Sequence, residues 1–293
     1  MRSKTVLAFF CLVASYATAA VTEQQRARID QLTGAKGAYT AEEDVYKVSF
    51  PRNDIKATIE GRQAPSFLGF TSWAAFTPAK NGGVMVMGDI VLLQHEVSPA
   101  MSAALDNGLE VTALHNHFFY EQPRVMFMHI GGHGDVEKLG AAVRKVLDAI
   151  QTSKSGTESF PGGSLPEQNR ITAAPLDQVL GVKGETSNGM YKATIGRTAT
   201  HHGTNIGKQM GVNTWAAFAG TDEMASVDGD FAMTEDELQG VLKTLRKNGI
   251  HIVAIHNHMT NEQPRYVFLH YWGKGRAQDL AKAVRAALDT QKK

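Results

Sequence analysis

The sequence has almost no cysteine: Cys11 is the only one among 293 residues. A disulfide within the chain needs two cysteines and is excluded. Cys11 lies in an N-terminal segment whose removal would leave no thiolate metal ligand. No apolar run after residue 20 reaches the roughly 20 residues that a transmembrane helix requires. The formal net charge is only +1, which gives no reason to expect nucleic acid or an anionic membrane as a partner.

The N-terminus predicts a secretory signal peptide. Arg2 and Lys4 form a basic start, residues 6–13 are an apolar stretch too short to span a bilayer, and Ala17-Thr18-Ala19 is a small-residue cleavage pattern. Cleavage there removes Cys11 and changes the formal charge from +1 to −1, because both basic residues are lost. We therefore expect a secreted or periplasmic protein with no transmembrane segment in its mature form. An uncleaved N-terminal anchor is the alternative.

The sequence contains an internal repeat. The peptide HNHFFYEQPR at 115–124 recurs as HNHMTNEQPR at 256–265, with seven of ten positions identical. Other matched landmarks are Ser72–Phe76 with Thr214–Phe218, Gly88-Asp89 with Gly229-Asp230, and Asn107-Gly108 with Asn248-Gly249. A stretch rich in Ser, Gly and Pro separates the copies and is typical of a linker. The predicted domains are a signal peptide (1–19), a first repeat unit (20–150), a linker (151–175) and a second repeat unit (176–293).

Each unit predicts the order strand–strand–helix–strand–strand–helix. In the first unit the strands are expected at 73–77, 84–92, 110–117 and 124–131, with further strands at 46–50 and 55–59 and helices at 99–106 and 135–150. In the second, Thr234 and Glu237 form a capping box for one helix, and 277–290 is amphipathic. We expect an α+β fold: a tandem duplication of this unit, with antiparallel sheets that carry helices on one face. The two sheets are expected to pack together about a pseudo-twofold axis.

The repeated histidines predict a metal site. Histidines at i and i+2 of a strand share a face. If His115 lies opposite His129, three imidazoles share one face of a hairpin, and Glu121 can fold back over them from the connecting loop. Imidazole and carboxylate donors suit Zn, Mn, Fe, Ni or Cu as a divalent ion. The predicted ligands are His115, His117, Glu121 and His129 in the first unit, and His256, His258, Glu262 and His270 in the second. The alternative is that these histidines are structural and bond to neighbouring backbone or carboxylate groups.

Two arginines and two aspartates accompany the histidines. Arg124 and Arg265 are predicted to bind an anionic group of a cofactor or ligand, since a guanidinium can hold a carboxylate or phosphate bidentately. An ion pair of Arg124 with Glu121 or Asp89 is the alternative. Asp89 and its counterpart Asp230 are either turn residues or partners that orient a ligating histidine.

The loops after the histidines differ between the copies. The first is Phe118-Phe119-Tyr120, which predicts an aromatic lid that excludes water and strengthens electrostatic interactions. The second is Met259-Thr260-Asn261, which is more polar. We therefore expect the first site to be drier and better suited to chemistry or tight binding, and the second to be degenerate or structural. Packing between the units is the alternative explanation of the aromatic loop.

Two functions compete at this point. The first is an exported protein that binds a metal or depends on one for catalysis, in which case Glu121 or Glu262 is the expected base if it is not a ligand. The second is a metal-free envelope module that binds a sugar or peptide through His, Asn and Arg. Either would take a small-molecule or envelope ligand.

Four motifs together resemble a known family. They are Ser-Trp-Ala-Ala-Phe at 72–76, Val-Met-Gly-Asp at 86–89, the Asn-Gly to His-Asn-His stretch at 107–117, and Glu-Gln-Pro-Arg at 121–124. With their second copies they resemble the LppY/LpqO family of bacterial exported proteins and lipoproteins, over nearly the whole mature chain. The resemblance implies an envelope or secreted location and a domain of unknown function. The chain departs from the lipoprotein members because it has no lipobox cysteine.

Overall fold

The computed structural model describes residues 20–80, 82–153, 160 and 163–291. The predicted signal peptide and residues 154–159 and 161–162 of the predicted linker lie outside these ranges. The first half consists of α1 (Glu23–Thr33), β1 (Ala38–Thr40), β2 (Val45–Pro51), β3 (Thr58–Ile59), β4 (Arg62–Gln63), β5 (Thr71–Pro78), β6 (Val84–Leu93), α2 (Gln94–Asp106), β7 (Glu110–His115), β8 (Glu121–Gln122), β9 (Val125–Gly134) and α3 (Val136–Thr152).

The second half repeats this order with one additional short 3-10 helix. It consists of α4 (Ala173–Leu180), β10 (Glu185–Ser187), β11 (Met190–Gly196), β12 (Ala199–His201), β13 (Thr204–Ile206), the 3-10 turn Lys208–Met210, β14 (Asn213–Gly220), β15 (Ala225–Thr234), α5 (Leu238–Lys247), β16 (His251–His256), β17 (Glu262–Gln263), β18 (Tyr266–Gly275) and α6 (Ala277–Leu288). The mixed helix and strand content and the mostly antiparallel pairing agree with the prediction.

One twelve-stranded sheet contains the long strands of both halves. Its order is β1-β2-β5-β6-β9-β7-β16-β18-β15-β14-β11-β10. The strands of the second half follow the reverse of the order of their counterparts in the first half, so the sheet is symmetric about the β7–β16 pair. The halves meet where β7 pairs antiparallel with β16 at Leu114 and Ile255. The expectation of two sheets packed face to face is therefore wrong. An isolated half would leave β7 or β16 as an exposed edge strand. Pairing β7 with β16 gives partners to backbone N–H and C=O groups that would otherwise lack them.

The two faces of the sheet are covered differently. On β6, Val86 and Ile90 pack in the main core with residues of the helices, such as Val143 of α3. Val91 instead belongs to a separate cluster with Phe70 and Phe127, because successive side chains on a strand point to opposite faces. That second face carries two small three-stranded sheets, β4-β3-β8 and β13-β12-β17. We call it the open face, since between these two caps it carries the half-exposed His115 and His256.

Several element boundaries differ from prediction. Helix α2 begins at Gln94, not at Pro99, because the Glu96 carboxylate accepts a bond from the Leu93 amide (2.8 Å) and so fixes an earlier first turn. Helix α1 was not predicted, although Thr22 and Gln25 form a capping box at its start. The expected strand at 55–59 is reduced to β3. The actual element order of each half is thus longer than the six-element unit predicted.

Polar contacts on the helix side connect the two halves. Gln239 of α5 donates to the Val111 carbonyl (2.9 Å) and accepts from its amide (3.0 Å). In the opposite direction, Ser98 Oγ of α2 lies 2.7 Å from His251 Nδ1, and Phe160 stacks on the His251 ring at 3.7 Å. Burial, with the nearby Arg246 charge, lowers the pKa of His251 from 6.5 to about 4. His251 is therefore neutral at this junction.

This histidine should make stability depend on pH. The unfolded chain protonates His251 below its ordinary pKa of 6.5, whereas the folded chain does so only near pH 4. Stability is therefore lost as the pH falls through this window, by about 2 kcal/mol at pH 4.5. Urea unfolding at pH 7 and 4.5 measures the loss. In His251→Gln the loss should be smaller by that amount, and an unchanged difference between the two pH values would contradict the assignment.

Candidate metal centre

The histidine hairpin has a different register from the expected one. His115 pairs with Phe127, and Ala113 pairs with His129. The expected pairing of His115 with His129 is wrong by two residues, because β8 leaves the hairpin to pair with β3 and the connection is not a tight turn. The side chains of His115 and His129 still share a face, because a shift of two residues leaves every side chain on the same side of the sheet.

Three residues of the second half converge on the open face. The donor atoms of Asp230, His256 and His258 all lie within 4.8 Å of one another. His258 Nε2 is 2.9 Å from Asp230 Oδ2, and His256 Nε2 is 3.8 Å from the same oxygen. Ligands of a tetrahedral zinc ion, each about 2.1 Å from the metal, lie on the order of 3.4 Å apart. The cluster therefore has the dimensions of a metal site.

Two buried polar atoms of this cluster have no hydrogen-bond partner among the described residues. Asp230 is 3% exposed, and its Oδ1 has no hydrogen-bond partner among the described residues. The buried His256 Nδ1 has none either. Burial lowers the pKa of His256, with repulsion from His258 and His270 in the same direction, while Asp230 opposes the shift. A neutral imidazole is the protonation state in which His256 can bind a metal.

The sheet and its cap position His258. It follows the end of β16, and its ring stacks on the buried Phe268 at a centroid distance of 3.6 Å. Its Nδ1 lies 3.1 Å from the carbonyl oxygen of Gly211, the residue after the 3-10 turn. That contact requires a proton on Nδ1 and leaves Nε2, the atom facing Asp230, as the metal-binding nitrogen.

The two predicted glutamates lie within the caps. Glu121 and Glu262 are the first residues of β8 and β17, and both are buried. Glu262 Oε1 accepts a bond from the Tyr266 amide (2.8 Å). The group of close donors in the second half contains Asp230 and does not contain Glu262. His270 is also outside this group, although its ring lies 4.5 Å from the ring of His256.

In the first half the histidines adopt another arrangement. His115 Nε2 and His129 Nε2 face each other at 2.9 Å. His117 stacks on Phe127 at 3.4 Å, as His258 does on Phe268, and burial lowers its pKa. Within the described ranges, no set of three donors in this half lies as close together as in the second.

The sequence predicts that Asp230 is either a turn residue or a partner that orients a ligating histidine. The structure places it inside β15, opposite His270, and places Asp89 inside β6, opposite His129. The turn interpretation is wrong for both. A signal was available, because Asp89 lies inside the strand predicted at 84–92 and the two aspartates are 141 positions apart, like the histidines.

Both predicted anion-binding arginines are exposed. Arg124 Nε lies 3.8 Å from Glu121 Oε1, which is the ion pair named as the alternative. Arg265 Nε lies 3.4 Å from Glu235 Oε1. More than half of each arginine side chain is exposed, so these pairs contribute little to stability.

The aromatic loop is not a lid. Phe118 packs on Phe70 at 5.3 Å within the first cap, but Phe119 is 82% exposed and Tyr120 is 79% exposed. Phe119 and Tyr120 therefore do not cover the first site, and the prediction that they form a lid is wrong. The second half, expected to be degenerate, holds the closer donor group.

The sequence profile of one protein family, described as Domain of Unknown Function (DUF1259), matches residues 27–149 and 174–290. The chain belongs to this family. The two matched regions agree with the predicted two-copy organisation. Comparison with curated proteins gives no significant match. Among the described residues, no helix is long and apolar enough to cross a membrane.

Two solved structures were found by comparison of folds. One is a trimeric bacterial microcompartment shell protein, PduB, with 13% identity, a TM-score of 0.21, and coverage of 87% of this chain and 89% of that one. The other is EtuB from Clostridium kluyveri, with 9% identity, a TM-score of 0.22 and the same coverage. Similarity at this level carries no conclusion about assembly or activity of the DUF1259 chain.

Proposed function

We propose that this protein is an exported metal-binding protein whose second half binds a divalent transition-metal ion through Asp230, His256 and His258. The N-terminal signal pattern and the LppY/LpqO resemblance support export. The ion has only three protein donors in this group, which leaves a coordination position for water or for a small-molecule or envelope ligand. In that position the ion would act as a Lewis acid on the ligand or lower the pKa of bound water.

The hydrogen-bond geometry of His258 carries the proposal. Nδ1 faces a carbonyl oxygen at 3.1 Å and Nε2 faces a carboxylate oxygen at 2.9 Å. Both partners are acceptors, and a neutral imidazole has only one N–H to donate. The two contacts require either an additional proton or a cation between Nε2 and Asp230. A metal also takes up the lone pair of His256 Nε2, which an imidazolium at His258 does not.

The donor types narrow the choice of ion. Two imidazoles and a carboxylate suit Zn, Mn, Fe, Ni or Cu, and no thiolate lies among the described residues. Calcium and magnesium prefer all-oxygen sites and fit this group poorly. The metal-free sugar or peptide module remains the competing function, and metal analysis separates the two.

Metal titration of untagged protein tests the proposal. We expect uptake of Zn²⁺ or Co²⁺ by the apo-protein, and Asp230→Asn should weaken the affinity of the second-half site by at least about 100-fold. Loss of a carboxylate ligand should cost more than the 10–100-fold typical of residues that only support ligands. Isothermal calorimetry and the visible spectrum of bound Co²⁺ measure the effect.

Asp228→Asn is the matched control. Asp228 lies two residues earlier on the same strand, with an exposed side chain, and is outside the donor group. It should keep an affinity within a few-fold of the parent protein. Equal losses in both variants would show a general charge effect. No uptake by the parent protein would favour the metal-free binding module.

A further inference from the structure

The first half contains every residue of the second-half site in the same strand register. Asp89 pairs with His129, as Asp230 pairs with His270. His115 pairs with Phe127, as His256 pairs with Phe268. The stacks of His117 and His258 on these phenylalanines are also equivalent. The backbone therefore presents the same donors at the same relative positions twice.

The central strand pair places the two sets on one surface. Because Leu114 pairs with Ile255, the antiparallel register places Ala113 opposite His256 and Ala254 opposite His115. Each of these alanines lies beside a histidine of the other half and is half-buried. Because alanine side chains are small, the two clusters lie on the open face with no large side chain of β7 or β16 at these positions between them.

The distance between the two clusters follows from the strand order. His129 is on β9 and His270 is on β18, and these strands are three positions apart in the sheet. At about 4.8 Å per strand spacing, the centres of the clusters lie about 14 Å apart. This separation is too long for one ligand atom to bridge two ions and short enough for one extended ligand to reach both.

The first cluster also brings its donor atoms together. His115 Nε2 and His129 Nε2 lie 2.9 Å apart, within hydrogen-bonding distance, and one ion about 2.1 Å from each nitrogen could replace that contact. Asp89 Oδ1, buried next to them, has no hydrogen-bond partner among the described residues. A carboxylate in that state is costly unless it is paired with a positive group.

We propose that the first half binds a second metal ion through Asp89, His115, His117 and His129, so that the protein holds two ions about 14 Å apart on the open face. This inference rests on the proposed function, because the ion of the second half defines the chemistry of this face. The second-half donors already lie within 4.8 Å of one another, whereas the first-half donors must rotate to do so. The second-half site therefore fills first, and the first-half site binds more weakly.

Metal stoichiometry and distance test this inference. Titration of the full chain with Cu²⁺ should show two sites of unequal affinity. Pulsed electron paramagnetic resonance of the doubly loaded protein should give a dipolar coupling that corresponds to about 14 Å. The double variant His115→Ala/His129→Ala should bind one ion and lose the coupling. Asp230→Asn/His258→Ala should also bind one ion, with only the weaker affinity remaining.

The possible failures are distinguishable. A parent protein that binds one ion, with no change in His115→Ala/His129→Ala and complete loss in Asp230→Asn/His258→Ala, would overturn the second site and leave the proposed function intact. No binding at all would overturn both. The coupling is measured on the unaltered chain, so a variant that fails to fold does not prevent a decision. Two bound ions with a separation far from 14 Å would place the second ion elsewhere and contradict the assignment.

Discussion

Replacing Arg52 with Met should lower the free energy of unfolding by about 3–5 kcal/mol, because it leaves the Glu96 carboxylate buried without its partner. Arg52 and Glu96 are 8% and 5% exposed, and two parallel hydrogen bonds of 2.9 Å join them. Arg52 also donates to the Val91 carbonyl (2.7 Å), so the pair fixes the start of α2 against β6. Urea unfolding followed by circular dichroism measures the loss.

Two further variants show whether the buried charge causes this loss. In Arg52→Met/Glu96→Gln the amide oxygen can still accept from the Leu93 amide, but no charge is buried, so most of the stability should return. Arg28→Met breaks the ion pair of Arg28 with Glu137. Because these two side chains are 43% and 59% exposed, we expect a much smaller loss than in Arg52→Met. A loss as large in Arg28→Met as in Arg52→Met would contradict the argument.

Most of the elements could be predicted because alternation in strands and helical periodicity are visible within a few consecutive residues. The predicted strand at 84–92 agrees with β6 within one residue at its end, and the predicted helix at 135–150 agrees with α3 within two. The join between the halves had no such signal. Leu114 and Ile255 pair across 141 residues, and an apolar strand that forms the edge of one sheet reads like a strand in the middle of a larger one.

The candidate site was predicted in part for the same reason. Period 2 predicts that His256 and His258 share a face, and their rings lie 5.1 Å apart although the hairpin register differs from the predicted one. The acidic donor depends on which strand lies beside β18. Glu262 is close in sequence but turns into its cap, whereas Asp230 comes from β15, the next strand in the sheet. Sequence proximity favoured Glu262, whereas the carboxylate in the close donor group is that of Asp230.

Replacing Phe268 with Ala should destabilise the protein by about 3–5 kcal/mol, because it opens a cavity in the second cap. Phe268 is fully buried with Val212, Ala232 and Tyr266, and the helix-side core cannot fill the space from the other face of β18. Its ring is also the platform under His258. Phe268→Leu keeps most of the apolar volume and should cost less than about 1.5 kcal/mol, although it removes the stacking surface. Urea unfolding of both apo-proteins gives the comparison. A loss below 1 kcal/mol in Phe268→Ala would mean that the cap collapses onto the sheet without this ring, and the position of His258 would then depend on Gly211 and Asp230 alone.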